Sequence, residues 1–197
     1  MTIMPALETE RLVVRPLALD DLPAVHCVLD IELADADFGS ESPKSLDERR
    51  KWLEWTILGY EQQANLHQPP YGERAITLKQ TAGLIGLCGF VPCLDFFEQL
   101  PGLLPSAISP FQSHASTEVG LFYAIQPGHQ RRGYATEAAR AMIHFAFHEM
   151  RLRRIVATTT YDNAGSIGVM RRLRMRIEKN PFLDPPRLQV VGILENR

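Results

Sequence analysis

Gln130-Arg131-Arg132-Gly133-Tyr134-Ala135-Thr136-Glu137 is the stretch from which the rest of the chain is best read. A β-rich run, Glu118-Val119-Gly120-Leu121-Phe122-Tyr123-Ala124-Ile125, precedes it, and a helical pattern over residues 135–150 follows. A strand that passes through a short loop into a helix leaves the first helical N–H groups without intrahelical partners. Those donors and the positive end of the helix dipole make an anion site, most often for phosphate. Gly133 and Ala135 carry little bulk, so an oxyanion can approach the main chain, and Arg131 and Arg132 add positive charge. The stretch reads as a phosphate cradle.

Downstream of it, residues 154–160 form another β-rich run, Asp162-Asn163 opens a short helix to about residue 173, and residues 175–179 and 188–194 read as a closing pair of strands. Upstream, residues 11–17 read as a first strand. Asp20 caps a helix to about residue 29, with Pro23 tolerated in its first turn. Ser45-Leu46-Asp47-Glu48 is a capping box, which predicts a helix over residues 46–60. Residues 74–79 and 84–91 form a hairpin through Gln80-Thr81-Ala82-Gly83. Residues 92–116 then place Pro92, Pro101, Pro105 and Pro110 among Leu and Phe. That is too apolar for a linker and too proline-rich for a long helix, and predicts a structured covering loop. The order is a mixed α/β pattern that does not alternate strictly, which speaks against a doubly wound dinucleotide fold.

A chain of 197 residues suits one domain over residues 1–197, and 45% hydrophobic with 22% charged residues is ordinary for a soluble globular protein. No apolar run reaches the roughly 18 residues that span a bilayer, and Met1-Thr2-Ile3-Met4-Pro5 does not open a signal peptide. Cys27, Cys88 and Cys93 are odd in number and lack metal-type spacing, which fits free thiols in the cytoplasm. A net charge of −2 argues against general nucleic-acid binding. The charge is unevenly spread. Residues 1–60 hold 12 acidic and 6 basic side chains, whereas residues 130–176 hold 10 Arg against Glu137, Glu149 and Asp162. The second region suits a polyphosphate, and the first a cationic partner, if either is more than a solvated face.

Gln130-x-x-Gly133-x-Ala135 resembles the acyl-CoA pyrophosphate motif of the GNAT N-acetyltransferase superfamily. Gly133-Tyr134-Ala135-Thr136-Glu137-Ala138 and Asn163-Ala164-Gly165-Ser166 resemble the branch that acetylates ribosomal-protein N-termini. So do Thr9-Glu10-Arg11-Leu12-Val13-Val14-Arg15-Pro16-Leu17 at the opening strand and Val190-Val191-Gly192-Ile193-Leu194-Glu195-Asn196 at the closing one. The resemblance implies a mostly antiparallel central sheet with helices on both faces, splayed between the fourth strand (118–125) and the fifth (154–160). Pantetheine of acetyl-CoA would lie in that gap against main-chain groups of Tyr123 and Ile125. Gln130, Arg131, Arg132, Gly133, Tyr134, Ala135 and Thr136 would hold the pyrophosphate, and Asn163 and Ser166 would also contact the cofactor. Many relatives carry a Tyr that protonates the leaving thiolate; counted from Asn163, that position is Met170, and Ser166 is the remaining acid. The usual Leu-Gly-Phe after this helix is Leu173-Arg174-Met175, and the 92–116 insertion is unusually long.

Direct attack of an amine on the thioester needs orientation and an N–H at the oxyanion, with no covalent nucleophile. Glu118, at the start of the strand entering the gap, is a candidate base, with Glu178 a weaker one. The acceptor would be a protein or peptide N-terminus or a small amine; the alternative is a non-catalytic CoA-binding module, which Met170 suits. No membrane and no metal are expected. His144 and His148 stand at i, i+4 with no Glu after the first His, and continue a polar helix stripe. Asp35-Ala36-Asp37-Phe38 falls where the family borders its acceptor. The apolar 92–116 insertion suits a lid over the acceptor or a homodimer contact.

Overall fold

The computed structural model describes residues 4–35, 42–100 and 114–196. Among these residues eight strands form one sheet: β1 (Leu7–Glu8), β2 (Leu12–Pro16), β3 (Gly72–Leu78), β4 (Leu84–Asp95), β5 (Ser116–Ile125), β6 (Arg154–Thr159), β7 (Arg176–Lys179) and β8 (Val190–Glu195). Their order across the sheet is β1-β2-β3-β4-β5-β6-β8-β7. The pairing is mostly antiparallel; β5 and β6 run parallel, with Gly120 opposite Val156. The helices are α1 (Leu22–His26), α2 (Leu46–Asn65), α3 (Tyr134–His148) and α4 (Ala164–Arg172). This is the mixed α/β arrangement that the sequence order suggests. β1 is added to it, so the fourth and fifth predicted strands are β5 and β6.

The chain divides into two compact units. Residues 1–90 and 122–142 form the first, whose core gathers Leu17, Leu22, Val25, Leu53, Leu87 and Ala124. Gly86 sits in it because a Cβ there would lie 2.3 Å from the Ala124 carbonyl oxygen, so only glycine lets β4 and β5 approach so closely. The Ser45 capping box forms as read. Ser45 N–H donates to Glu48 Oε2 at 2.8 Å, and Glu48 N–H to Ser45 Oγ at 3.4 Å. α2 runs five residues past Tyr60, since Glu61-Gln62-Gln63-Ala64 are all good helix formers, and stops before Pro69-Pro70 with His67 at φ 54°.

The helix expected over 20–29 is instead a 3₁₀ turn (Leu19–Asp21), the short α1 and a π-helical stretch (Cys27–Glu32), closed by Leu33 N–H donating to Val28 C=O. Within it Asp30 is buried against Arg49 of α2. Arg49 Nε and Nη2 donate to its two oxygens at 2.7 Å, and the guanidinium lies over the Trp52 ring. Tertiary pairing therefore overrides the local helical pattern.

Residues 91–121 and 143–197 form the second unit. Its core holds Phe97, Leu100, Val156, Leu188, Val191 and Ile193. Here the 92–116 reading is corrected at its start. β4 continues through Pro92 to Asp95, past Phe90, where its pairing with β3 ends, so no β3 acceptor misses the proline N–H. Phe97 and Leu100 are apolar because they are core residues. Each such side chain stabilises the unit by about 1.5–3 kcal/mol. Asn180 Nδ2 donates to Gln99 Oε1 at 2.8 Å and Arg187 Nε to Asp95 Oδ2 at 2.8 Å, fastening this segment further. Residues 101–113, and with them most of the lid or dimer reading, lie outside the described residues, as do Ala36, Asp37 and Phe38 of the acidic loop.

Candidate active site

The cradle lies wholly in the first unit. β5 ends at Ile125, and Gln126 N–H donates to Ile85 C=O at 2.9 Å, which keeps the strand end in the sheet. A 3₁₀ turn (Pro127–His129) leads to Gln130. The Gln130 side chain turns back, and its Nε2 donates to Ile125 C=O at 2.9 Å. It braces the loop against the strand. Arg131 has φ 61° and Gly133 φ 84°; such reversals curl the main chain into a concave run of N–H groups. The first bond of the α3 ladder runs from Glu137 N–H to Gly133 C=O at 3.0 Å, so the Tyr134, Ala135 and Thr136 N–H groups precede the ladder. Among the described residues a Cβ at Gly133 would meet only Arg11 Nη2, at 3.5 Å. Its glycine is required by φ and by close anion approach, not by crowding in the protein.

One feature that local sequence reading missed holds this loop. Glu137 is clamped by the opening strand segment. Its Oε1 accepts from Thr9 Oγ1 at 2.6 Å and Arg11 N–H at 2.9 Å, and its Oε2 from Arg11 Nε at 2.7 Å. Arg11 Nη1 donates onward to Arg132 C=O at 3.1 Å, and its guanidinium stacks 4.5 Å over the Tyr134 ring. Burial alone would raise the Glu137 pKa, but the hydrogen bonds from Thr9 and Arg11 and the arginine charge hold it below its ordinary value. The Glu137 charge is thereby neutralised. Arg131 and Arg132 remain exposed, and among the described residues neither is ion-paired. His129 Nδ1, in the preceding turn, is buried with no hydrogen-bond partner among the described residues. Concave N–H groups and two exposed arginines fit a diphosphate.

The other expected site residues fall in the second unit, apart from Tyr123, which lies on β5 within the first. Asn163 is the N-cap of α4, its Oδ1 accepting from Ser166 N–H at 2.9 Å. The cap fixes the first turn and holds Ser166 half-buried there. Met170 is completely buried, its sulfur 3.0 Å from where a Cβ of Gly192 would stand; it is a core residue. Glu118, the candidate base, is held in an ion pair. Both of its oxygens are engaged by Arg154 Nε and Nη2, and the side chain is largely buried. The hydrogen bond from this pair raises the Arg154 pKa against burial, the mark of a structural ion pair. Glu178, on β7, is likewise ion-paired, with Arg176. His144 and His148 lie 4.3 Å apart by ring centroids, and no group of three metal-binding side chains is assembled among the described residues. Nor, among those residues, is any helix long and apolar enough to cross a membrane.

A family model described as an acetyltransferase (GNAT) domain matches residues 11–176. The chain is 27% identical over 182 residues to the uncharacterized N-acetyltransferase YoaA of Bacillus subtilis, covering 92% of this chain and 87% of that protein. It is 43% identical to YnaD of the same organism over 61 residues, which is 35% of that protein. An acetyltransferase from Agrobacterium tumefaciens superposes with TM-score 0.68 at 24% identity, covering 99% of this chain and 96% of that one. RimL, a ribosomal L7/L12 α-N-protein acetyltransferase solved with coenzyme A, superposes with TM-score 0.63 at 16% identity, covering 94% and 93%. At these identities the structural likenesses speak to the fold, whereas the family model spans the cradle, the Arg11–Glu137 pair and α4. The chain belongs to the GNAT acetyltransferase family.

Proposed function

We propose that the protein moves an acetyl group from acetyl-CoA to a primary amine by direct attack, the acceptor being a protein or peptide N-terminus or a small amine. The observation that carries this reading is the cradle: concave N–H groups at the start of α3, clamped through Glu137 to Arg11. Acetyl-CoA supplies the activated acyl group. The N–H groups of residues 131–136, with Arg131 and Arg132, hold its diphosphate, and main-chain groups of Tyr123 and Ile125 take the pantetheine arm. Asn163 presents Ser166, whose hydroxyl donates a proton to the departing sulfur.

The acceptor must shed a proton. An α-amine, with a pKa of about 8, is partly neutral already, whereas a lysine near 10.4 needs more help. Glu118, occupied by Arg154, fixes the start of β5 and leaves deprotonation to solvent or the acceptor itself. A peptide N-terminus is therefore the acceptor that asks least of this site. Free thiols at Cys27, Cys88 and Cys93 support a cytoplasmic setting. A second reading, a CoA-binding module without turnover, is favoured by one observation, the burial of Met170 where many relatives carry an acidic tyrosine. Thiol release from acetyl-CoA, followed across a panel of peptides and amines, separates the two. Acceleration by an amine supports transfer; CoA binding with no acceleration by any amine supports the module.

A further inference from the structure

The strand end that carries Ile125 carries, one residue on, a tie to the helical layer of the same unit. Gln126 Nε2 donates to Glu32 Oε1 at 2.8 Å, across 94 residues of sequence. Glu32 closes the π-helical stretch, and the Cys27 thiol approaches the same oxygen at 3.8 Å. In a π-helix the bond runs from i to i+5, and Cys27 and Glu32 are spaced by five; π-helical turns are rare and concentrate at functional sites. Burial, and then the adjacent carboxylate, push the Cys27 thiol up, so it stays a protonated donor. Two neutral donors thus orient one oxygen of an exposed carboxylate. Three held carboxylates in this unit are neutralised, Asp21 by Arg15, Asp30 by Arg49 and Glu137 by Arg11, and Glu48, held by Ser45, is taken up in capping its own helix. Among the described residues Glu32 is positioned without a counter-ion, and its Oε2 has no partner.

We infer that Glu32 receives the ammonium group of the acceptor beside the C-terminal end of β5, and so selects cationic amines that carry no carboxylate next to the amino group. The inference rests on the acetyltransferase reading, which sets the pantetheine arm at Ile125. An acceptor amine meets the protein largely as its ammonium form. A carboxylate held by neutral donors keeps its full charge for such a ligand, where one paired with arginine does not. A peptide N-terminus or an alkylamine suits it. A free α-amino acid brings its own carboxylate into like-charge contact and is disfavoured. Glu32 binds here, and proton removal remains with the groups named above.

The test uses the full chain, Glu32→Gln and Glu32→Asp, with three acceptors: a short peptide bearing a free N-terminus, a simple alkylamine and a free α-amino acid. In Glu32→Gln the KM for the peptide and the alkylamine should rise about tenfold while kcat changes less than about threefold, as loss of a ground-state contact requires. The preference over the amino acid should narrow, Glu32→Asp should recover part of the loss, and the Kd for CoA should stay unchanged. An active wild type whose KM values are untouched by Glu32→Gln overturns the role of Glu32 alone. A wild type that binds CoA but turns over no amine overturns the acetyltransferase reading and this inference with it.

Discussion

Glu137→Gln keeps the shape of the clamp and removes its charge. The carboxylate accepts four donors: Thr9 Oγ1 and Arg11 N–H on one oxygen, Arg11 Nε and Nη2 on the other. A glutamine offers one carbonyl oxygen. If that oxygen keeps Thr9 and the Arg11 main chain, its amide NH₂ faces two guanidinium donors 2.6–2.7 Å away. Arg11 is 43% exposed and can swing into solvent, so the ion pair itself is discounted to at most about 1 kcal/mol. Loss of the charged acceptor for the remaining, more buried donors adds about as much again, giving about 1–2 kcal/mol in total. For a chain of this size that is a fall in Tm of about 3–6 °C. The pH dependence follows from the lowered pKa of Glu137. The stabilisation is fully present above the unfolded carboxylate value of about 4.3 and is lost as pH falls through the lower folded value. The gap between wild type and variant should therefore be full at pH 7 and close in strong acid. Thermal unfolding followed by circular dichroism from pH 7 to pH 3 reads both. A gap below about 1 °C at pH 7, or one that widens on acidification, would refute the reasoning.

Other perturbations separate chemistry from scaffold. Ser166→Ala should lower kcat at least about tenfold with the CoA Kd little changed, since it removes a proton donor and leaves the Asn163 cap bonded to the residue 166 N–H; steady-state kinetics with calorimetry checks it. Met170→Tyr should not restore a family tyrosine. The site is sealed against Gly192, so overpacking should cost about 1–3 kcal/mol in urea unfolding without raising kcat. Cys88, fully buried with its pKa pushed up to about 12, should resist alkylation in the folded protein and react on unfolding, as peptide mass mapping will show.

The fold was legible where local chemistry decides it. The Ser45 capping box, the Asn163 cap and the glycine loop ahead of α3 each declare themselves within a few residues, and each stands where it was read. What stayed hidden was non-local. Nothing near Glu137 announces Thr9 and Arg11, 128 and 126 residues away, nor does Glu118 announce Arg154. A proline at 92 suggested a strand end because the sequence does not show that β3 has already stopped. Residues 27–32 carry an ordinary helical pattern; the buried Asp30–Arg49 pair and the Glu32–Gln126 contact, made by partners far along the chain, accompany the wider winding.

The central claim is that main-chain donors around Gly133 grip a diphosphate. Calorimetric titration of the protein with CoA and with pantetheine, which shares the thiol arm and lacks the diphosphate, tests it directly. CoA should bind one to one and about a hundredfold more tightly than pantetheine, a difference of about 2.7 kcal/mol. Gly133→Ala, forced to hold a Cβ at φ 84°, should erase most of that margin. Equal affinity for the two ligands, or no heat with CoA at all, would contradict the account.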